Sequence, residues 1–127
     1  MKEKRFFICE HCGNIAEKIH DAGVPIVCCG EKMSELKAGV VEASREKHIP
    51  VVNVSENKVT VVVGEVLHPM TDEHSITWVC LETDRGSQLK TLSAGDEPTV
   101  SFLLSDETAV AVYAYCNLHG LWKVEIK

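Results

Sequence analysis

Four of the six cysteines lie in the first 37 of 127 residues, as Cys9-Glu-His-Cys12-Gly13 and Cys28-Cys29-Gly30, and this crowding constrains the chain more than any other feature. A segment below about 40 residues buries too little apolar surface to fold unaided and usually leans on a metal, disulfides or a partner chain. The redox compartment decides among these. After the charged start Met1-Lys2-Glu3-Lys4-Arg5 the apolar run is only Phe6-Phe7-Ile8, whereas a secretion signal needs about 7–15 apolar residues there. No later stretch reaches the roughly 18 apolar residues of a membrane-spanning helix. The expectation is a soluble, cytoplasmic protein, in which clustered thiols point to metal or redox chemistry before disulfides.

Four thiolates can surround one ion. A C-x2-C turn presents two sulfurs on one side, and a glycine after each pair permits the tight backbone and the N–H···S contacts of such sites. Zinc ribbons space their cysteines by two to four residues, so the adjacent pair Cys28-Cys29 is a departure. Neighbours on a regular strand face opposite ways, and both reach one ion only if the backbone turns between them. Zinc and iron both accept four thiolates, and only iron is then a one-electron carrier. Spacing leaves the two open.

The charge divides the chain near Lys37. Residues 1–37 carry six basic and six acidic groups, while residues 38–127 carry seven basic and thirteen acidic ones, the entire net charge of −6. That is the wrong sign for gripping phosphate backbones, so neither nucleic acid nor a membrane is an expected partner. Beyond about Val51 apolar residues alternate: Val59, Val61 and Val63; Ile76, Trp78 and Cys80; Val100, Phe102 and Leu104. Period two predicts strands with one buried face each. The run Thr108–Cys116 and the closing Leu121–Lys127 continue the pattern, with turn signals at Asp84–Ser87, Ala94–Asp96 and Ser105–Glu107. Short strands at regular spacing predict an all-β sandwich or barrel over residues 38–127, behind a metal-binding module at residues 1–37.

A second group of metal-type residues follows the last long strand. Cys116-Asn-Leu-His119-Gly120 places a thiolate and an imidazole on one turn, and His48, His68 and His74 stand at strand ends or in loops. No general metal motif has this spacing, and the residues alone leave both a second metal and four solvated histidines open.

Taken in order, Cys9-x2-Cys12, Cys28-Cys29, Glu46-Lys47-His48-Ile49-Pro50, His68-Pro69-Met70, His74 and Cys116-Asn117-Leu118-His119-Gly120-Leu121-Trp122 resemble desulfoferrodoxin, the two-iron form of superoxide reductase, over nearly the whole chain. The resemblance implies a small desulforedoxin- or rubredoxin-like domain with iron in Cys9, Cys12, Cys28 and Cys29. It also implies an immunoglobulin-like β-sandwich holding a second, catalytic iron by His48, His68, His74 and His119, with Cys116 axial. Superoxide is then the substrate, a rubredoxin-like protein the electron donor, and a homodimer the assembly. Lys47 becomes the attractor for the anion and Glu46 a displaceable carboxylate. Ser75, where many relatives carry an aromatic residue, and Cys80 depart from the pattern.

The remaining residues read more plainly. Cys80 is expected as a buried apolar thiol, His11 and His20 as solvated, and Trp78 and Trp122 as core, Trp122 also as a wall of the second site. Two other readings stay in play: an electron-transfer protein in which only the first iron works, and a zinc-stabilised β-sandwich used for binding.

Overall fold

The computed structural model describes residues 4–39, 48–64 and 67–126. Contacts divide the chain into two compact units, Met1–Lys37 and Ala38–Lys127. Among the described residues no helix is long and apolar enough to cross a membrane.

In the first unit β1 (Phe6–Ile8) is flanked antiparallel by β2 (Ile15–Glu17) and β5 (Ser34–Leu36), while β3 (Val27–Cys28) and β4 (Glu31–Lys32) form a separate hairpin. The apolar interior is slight: Phe6, Phe7 and Cys9 are its buried hydrophobic residues. Charge pairing fills in around it. Arg5 lies over the Phe7 ring and binds Glu35 at 3.0 Å, Asp21 bridges Arg5 and Lys18, and Lys4 meets Glu17 at 2.7 Å.

Among the described residues the second unit is a sandwich of seven antiparallel strands. One sheet orders β6 (Pro50–Ser55), β7 (Lys58–Val63) and β10 (Thr99–Leu103) as β10-β7-β6. The other orders β8 (Ile76–Thr83), β9 (Gly86–Thr91), β11 (Ala109–Cys116) and β12 (Gly120–Glu125) as β12-β11-β8-β9. The three-plus-four division, with the chain crossing between sheets after β7, β9 and β10, is immunoglobulin-like. Val59, Val61, Val63, Val100 and Phe102 from the first sheet meet Ile76, Val79, Leu81, Val112, Ala114 and Cys116 from the second in one core. Burying these residues, at roughly 1.5–3 kcal/mol for each large side chain, is the dominant stabilisation of the unit.

The expected alternation holds on β7 and β10 and fails on β8. Ile76, Trp78 and Cys80 do not share the core face: Ile76 joins Val79 and Leu81 in the core. The pairing explains the departure, because Tyr115 pairs with Trp78 while the next residue, Cys116, pairs with Ile76, so Thr77 is skipped. Such a bulge changes which side chains face inward. It leaves Trp78 and Cys80 on the opposite face, where both are nevertheless buried and Trp78 stacks on Tyr115 at 5.6 Å.

Candidate functional site

In the first unit the four cysteines converge through two tight turns. At the knuckle the Gly13 N–H donates to the Cys9 carbonyl at 2.8 Å, and the Cys12 and Asn14 N–H groups lie 3.5 Å from the sulfurs of Cys9 and Cys12. Across from it, Cys28 pairs with Glu31, and the two residues between, Cys29 and Gly30, have φ of +54° and +77°. Two central residues at positive φ mark the type I′ hairpin turn. That turn is how adjacent cysteines aim both sulfurs one way. All four Sγ atoms lie within 4.8 Å of one another, Cys12 and Cys28 at 3.6 Å. Metal–thiolate bonds of about 2.3 Å in a tetrahedron separate the sulfurs by about 3.8 Å, so the residues fit such an ion. Their proton affinities diverge. Backbone N–H donation, chiefly from Cys12, lowers the Cys9 thiol to about 6, while the neighbouring sulfurs of Cys12 and Cys9 push Cys29 up to about 12. Four thiolates this close need a cation among them. Cys12 and Cys29 are exposed, so the edge of the cluster is reachable from solvent.

The second unit gathers its donors at one end of the sandwich. His48 stands two residues before β6 and His68 follows β7, whose end pairs with the start of β6 through Pro50 and Val63. His74 stands two residues before β8, Cys116 ends β11 and His119 precedes β12. The pairs Cys116–Ile76 and Cys116–Gly120 put those three at the same end. Antiparallel pairing therefore brings together residues spread over 72 positions.

The imidazoles form a ring. Successive centroids are 4.6 Å (His48–His68), 4.7 Å (His68–His74), 5.0 Å (His74–His119) and 4.9 Å (His119–His48), every neighbouring pair near perpendicular, and the diagonal His48–His74 is 6.3 Å at 30°. His48 Nε2 lies 3.0 Å from His68 Nε2 and 3.1 Å from His119 Nδ1. Metal–imidazole bonds of about 2.0–2.1 Å meeting at right angles separate neighbouring nitrogens by about 3 Å. The donor set fits. Candidate ligand atoms of His48, His68, His74 and Cys116 all lie within 4.8 Å of one another. His119 stands outside that mutual set, yet its Nδ1 is 3.8 Å from Cys116 Sγ.

Burial and hydrogen bonds prepare these groups. His48, His68 and Cys116 are buried, and His74 Nε2 is sealed from solvent. His68 Nδ1 is 2.7 Å from the Pro69 carbonyl, which assigns the ring proton to Nδ1 and leaves the Nε2 lone pair facing the other imidazoles. Burial first, and then the neighbouring histidines, lower the His68 pKa to about 4, so the ring is neutral at physiological pH. Burial pushes the Cys116 thiol up, against donation from the Leu118 and His119 N–H groups. Trp122 stacks on His48 at 4.9 Å and donates its Nε1–H to the His119 carbonyl at 3.2 Å, so it is core and wall at once.

The structure thus gathers nine of the expected site residues into two clusters. Glu46 and Lys47 lie outside the described residues. His11 and His20 are exposed and Cys80 is buried, away from both clusters. Sequence reasoning missed Asn117. Its Oδ1 accepts from the Ser75 N–H, its Nδ2 donates to the Glu73 carbonyl and its backbone N–H donates to the Ser75 carbonyl, so it grips the residues on both sides of His74. An asparagine directly after a ligand-type cysteine in a turn was the available signal. Asn14 plays a smaller part in the first cluster, its Nδ2 lying 3.5 Å from Cys28 Sγ.

Comparison with known proteins agrees with both halves of this description. The family model described as desulfoferrodoxin matches residues 40–125, and that described as desulfoferrodoxin, N-terminal domain, matches residues 2–36. A desulfoferrodoxin of Nitratidesulfovibrio vulgaris is 45% identical over 117 residues, 92% of each chain. The crystal structure of the superoxide reductase from Treponema pallidum superposes with a TM-score of 0.82 at 42% identity, covering 97% of this chain and 99% of that one. A one-iron superoxide reductase from Giardia intestinalis matches at 31% identity and a TM-score of 0.56, with 98% of its chain on 65% of this one. With a match to each unit and close relatives along its whole length, the chain belongs to the desulfoferrodoxin family.

Proposed function

We infer that the chain is a superoxide reductase, taking superoxide to hydrogen peroxide with one electron and two protons. The carrying observation is the ring of four imidazoles closed beside a buried thiol at one end of the sandwich. His48, His68, His74, His119 and Cys116 would hold an iron, which would supply the single electron that superoxide takes up and which zinc would not.

The residues contribute in separate ways. With the four imidazoles and one thiolate as its donors, a divalent ion would keep a net positive charge and favour an anion in a unit whose own charge is −6. Five protein donors would leave such an ion able to take one further small ligand. Cys116 would hold such an ion by a thiolate, whose electron donation would favour reduction of the substrate. Trp122 and the core exclude water from one flank of the ring.

Lys47, one residue before His48, is proposed to attract superoxide, and Glu46 to act as a displaceable carboxylate after product leaves. A unit charge a few ångströms away contributes about 1–4 kcal/mol toward an anion, and each 1.36 kcal/mol is tenfold in rate. Lys47→Ile should slow the encounter about tenfold and weaken its decline with salt, while Lys47→Arg keeps most of the rate. Equal rates and equal salt slopes would remove Lys47 from the reading.

The four-cysteine cluster is proposed as a second iron that passes electrons, with a rubredoxin-like protein as donor and a homodimer as the assembly. Exposed Cys12 and Cys29, and exposed Val27 beside Cys28, support contact with another protein there. The test is metal analysis with visible spectroscopy and pulsed superoxide. Two irons per chain, and growth of a ferric–thiolate charge-transfer band at one peroxide per superoxide without oxygen release, are expected. Zinc in the second cluster, or iron there that superoxide leaves unchanged, overturns the assignment.

A further inference from the structure

We propose that Asn117 is a positioning residue that sets His74 against Cys116 before any metal arrives. The inference rests on reading the second cluster as a metal centre. His74 and Cys116 reach that cluster on segments 42 residues apart, and the last backbone pair of the β8–β11 ladder is Ile76 with Cys116. Beyond that pair the ladder is carried by Asn117. Its backbone N–H donates to the Ser75 carbonyl at 3.2 Å, and its side-chain amide takes the place of another peptide group. Oδ1 accepts from the Ser75 N–H at 3.0 Å and Nδ2 donates to the Glu73 carbonyl at 3.0 Å.

The geometry gives this clip a specific object. Glu73 and Ser75 are the two neighbours of His74, and Asn117 is the neighbour of Cys116, so the bonds relate one imidazole of the ring to the thiolate beside it. Thr71 secures the other side of the same turn, with its N–H and hydroxyl both donating to the His74 carbonyl and its Oγ1 accepting from the His74 N–H. Thr71 holds the turn to itself and Asn117 holds the turn to β11. Asn117 is itself exposed, so its removal leaves no cavity and costs the core nothing. Loss of the clip should appear in the metal centre and scarcely in the fold.

Groups that orient metal ligands typically cost 10- to 100-fold in metal affinity when removed. The test titrates cobalt(II) into the full-length apo protein after its four-cysteine cluster has been filled with cadmium, reading the thiolate-to-cobalt charge-transfer band. Wild type taking up one cobalt per chain with that band supports the metal-centre reading, and no uptake by wild type overturns that reading itself. Asn117→Ala is expected to raise the cobalt dissociation constant about tenfold to a hundredfold and to shift the band. Asn117→Asp, which keeps the acceptor for Ser75 and loses the donor to Glu73, should fall between and so partly rescue the site. Val112→Ala, a core truncation on the same strand, should lower the thermal midpoint more than either while leaving cobalt affinity within about twofold of wild type. Cobalt affinity and band unchanged in Asn117→Ala, or the same loss of affinity in Val112→Ala, would overturn the proposal.

Discussion

The two units solve the problem of holding donors together in opposite ways. In residues 1–37 the described interior is two phenylalanines and one donor, Cys9. Phe6, Phe7 and a set of surface ion pairs accompany a cluster of four sulfurs carried on two turns, two of its cysteines exposed. In residues 38–127 a core drawn from both sheets includes one donor, Cys116, and the other donors gather at one end of it, with His48, His68 and Cys116 buried. Where the core is this slight, an ion held by the four sulfurs would complete the fold. Where a core exists already, the donors can be unequal in kind.

That contrast can be broken by experiment. The largest effect expected is at Cys116. Replacement by Ser removes the thiolate next to the imidazole ring and should cut superoxide reduction by more than about a hundredfold, beyond what second-sphere changes around metals cost, while the spectrum of the four-cysteine cluster persists. Undiminished turnover would mean the sandwich site does not depend on its thiolate.

Next comes the fold of the first unit. Structural zinc contributes roughly 10–16 kcal/mol to comparably small domains, so Cys12→Ser should abolish amide protection throughout residues 4–36 and leave protection in β7, β8 and β11 unchanged. Protection that survives in β1 and β2 would show that this unit has a sufficient core after all.

Phe102→Ala probes the converse. Phe102 is 1% exposed at the centre of the sandwich, and truncating such a residue costs about 3–5 kcal/mol. The unfolding free energy of the second unit should fall by that amount, read as a lower denaturation midpoint, with the first unit's chromophore unaffected at equal denaturant. A joint loss of both would argue that the units unfold as one.

The smallest effect is the dependence on pH. His68 has its folded pKa lowered to about 4 from an ordinary 6.5, so between those values the unfolded chain binds the extra proton. Stability of the metal-free second unit is then fully present above about pH 6.5 and declines as the pH falls toward 4. His68→Gln should flatten that decline in urea titrations. An unchanged slope would place the acid sensitivity on other groups.

Much of the site was legible because ligand chemistry is written in residue types. Paired cysteines with following glycines announced the first cluster, and the need for a turn at Cys28-Cys29 is met by positive φ at Cys29 and Gly30. Alternation on β7 and β10 identified their inner faces. On β8 it misled, because a skipped residue in the pairing with β11 moves Ile76 to the inner face and Trp78 and Cys80 to the outer one. No pattern within a single strand reports the register of its neighbour.

By itself the sequence determined which atoms are available to bind metal, that they fall into two sets on either side of Lys37, and that the second set stands mostly at strand ends or in loops. These are local properties: side-chain chemistry, spacing along the chain and period-two burial act over a few residues. Tertiary structure alone decided that His48, His68, His74 and His119 close into one ring, that Trp122 stacks on it, and that Asn117 ties the His74 turn to Cys116. Those relations depend on which strand ends become neighbours when two sheets close over a shared core, and that is settled only by the packing of the whole sandwich.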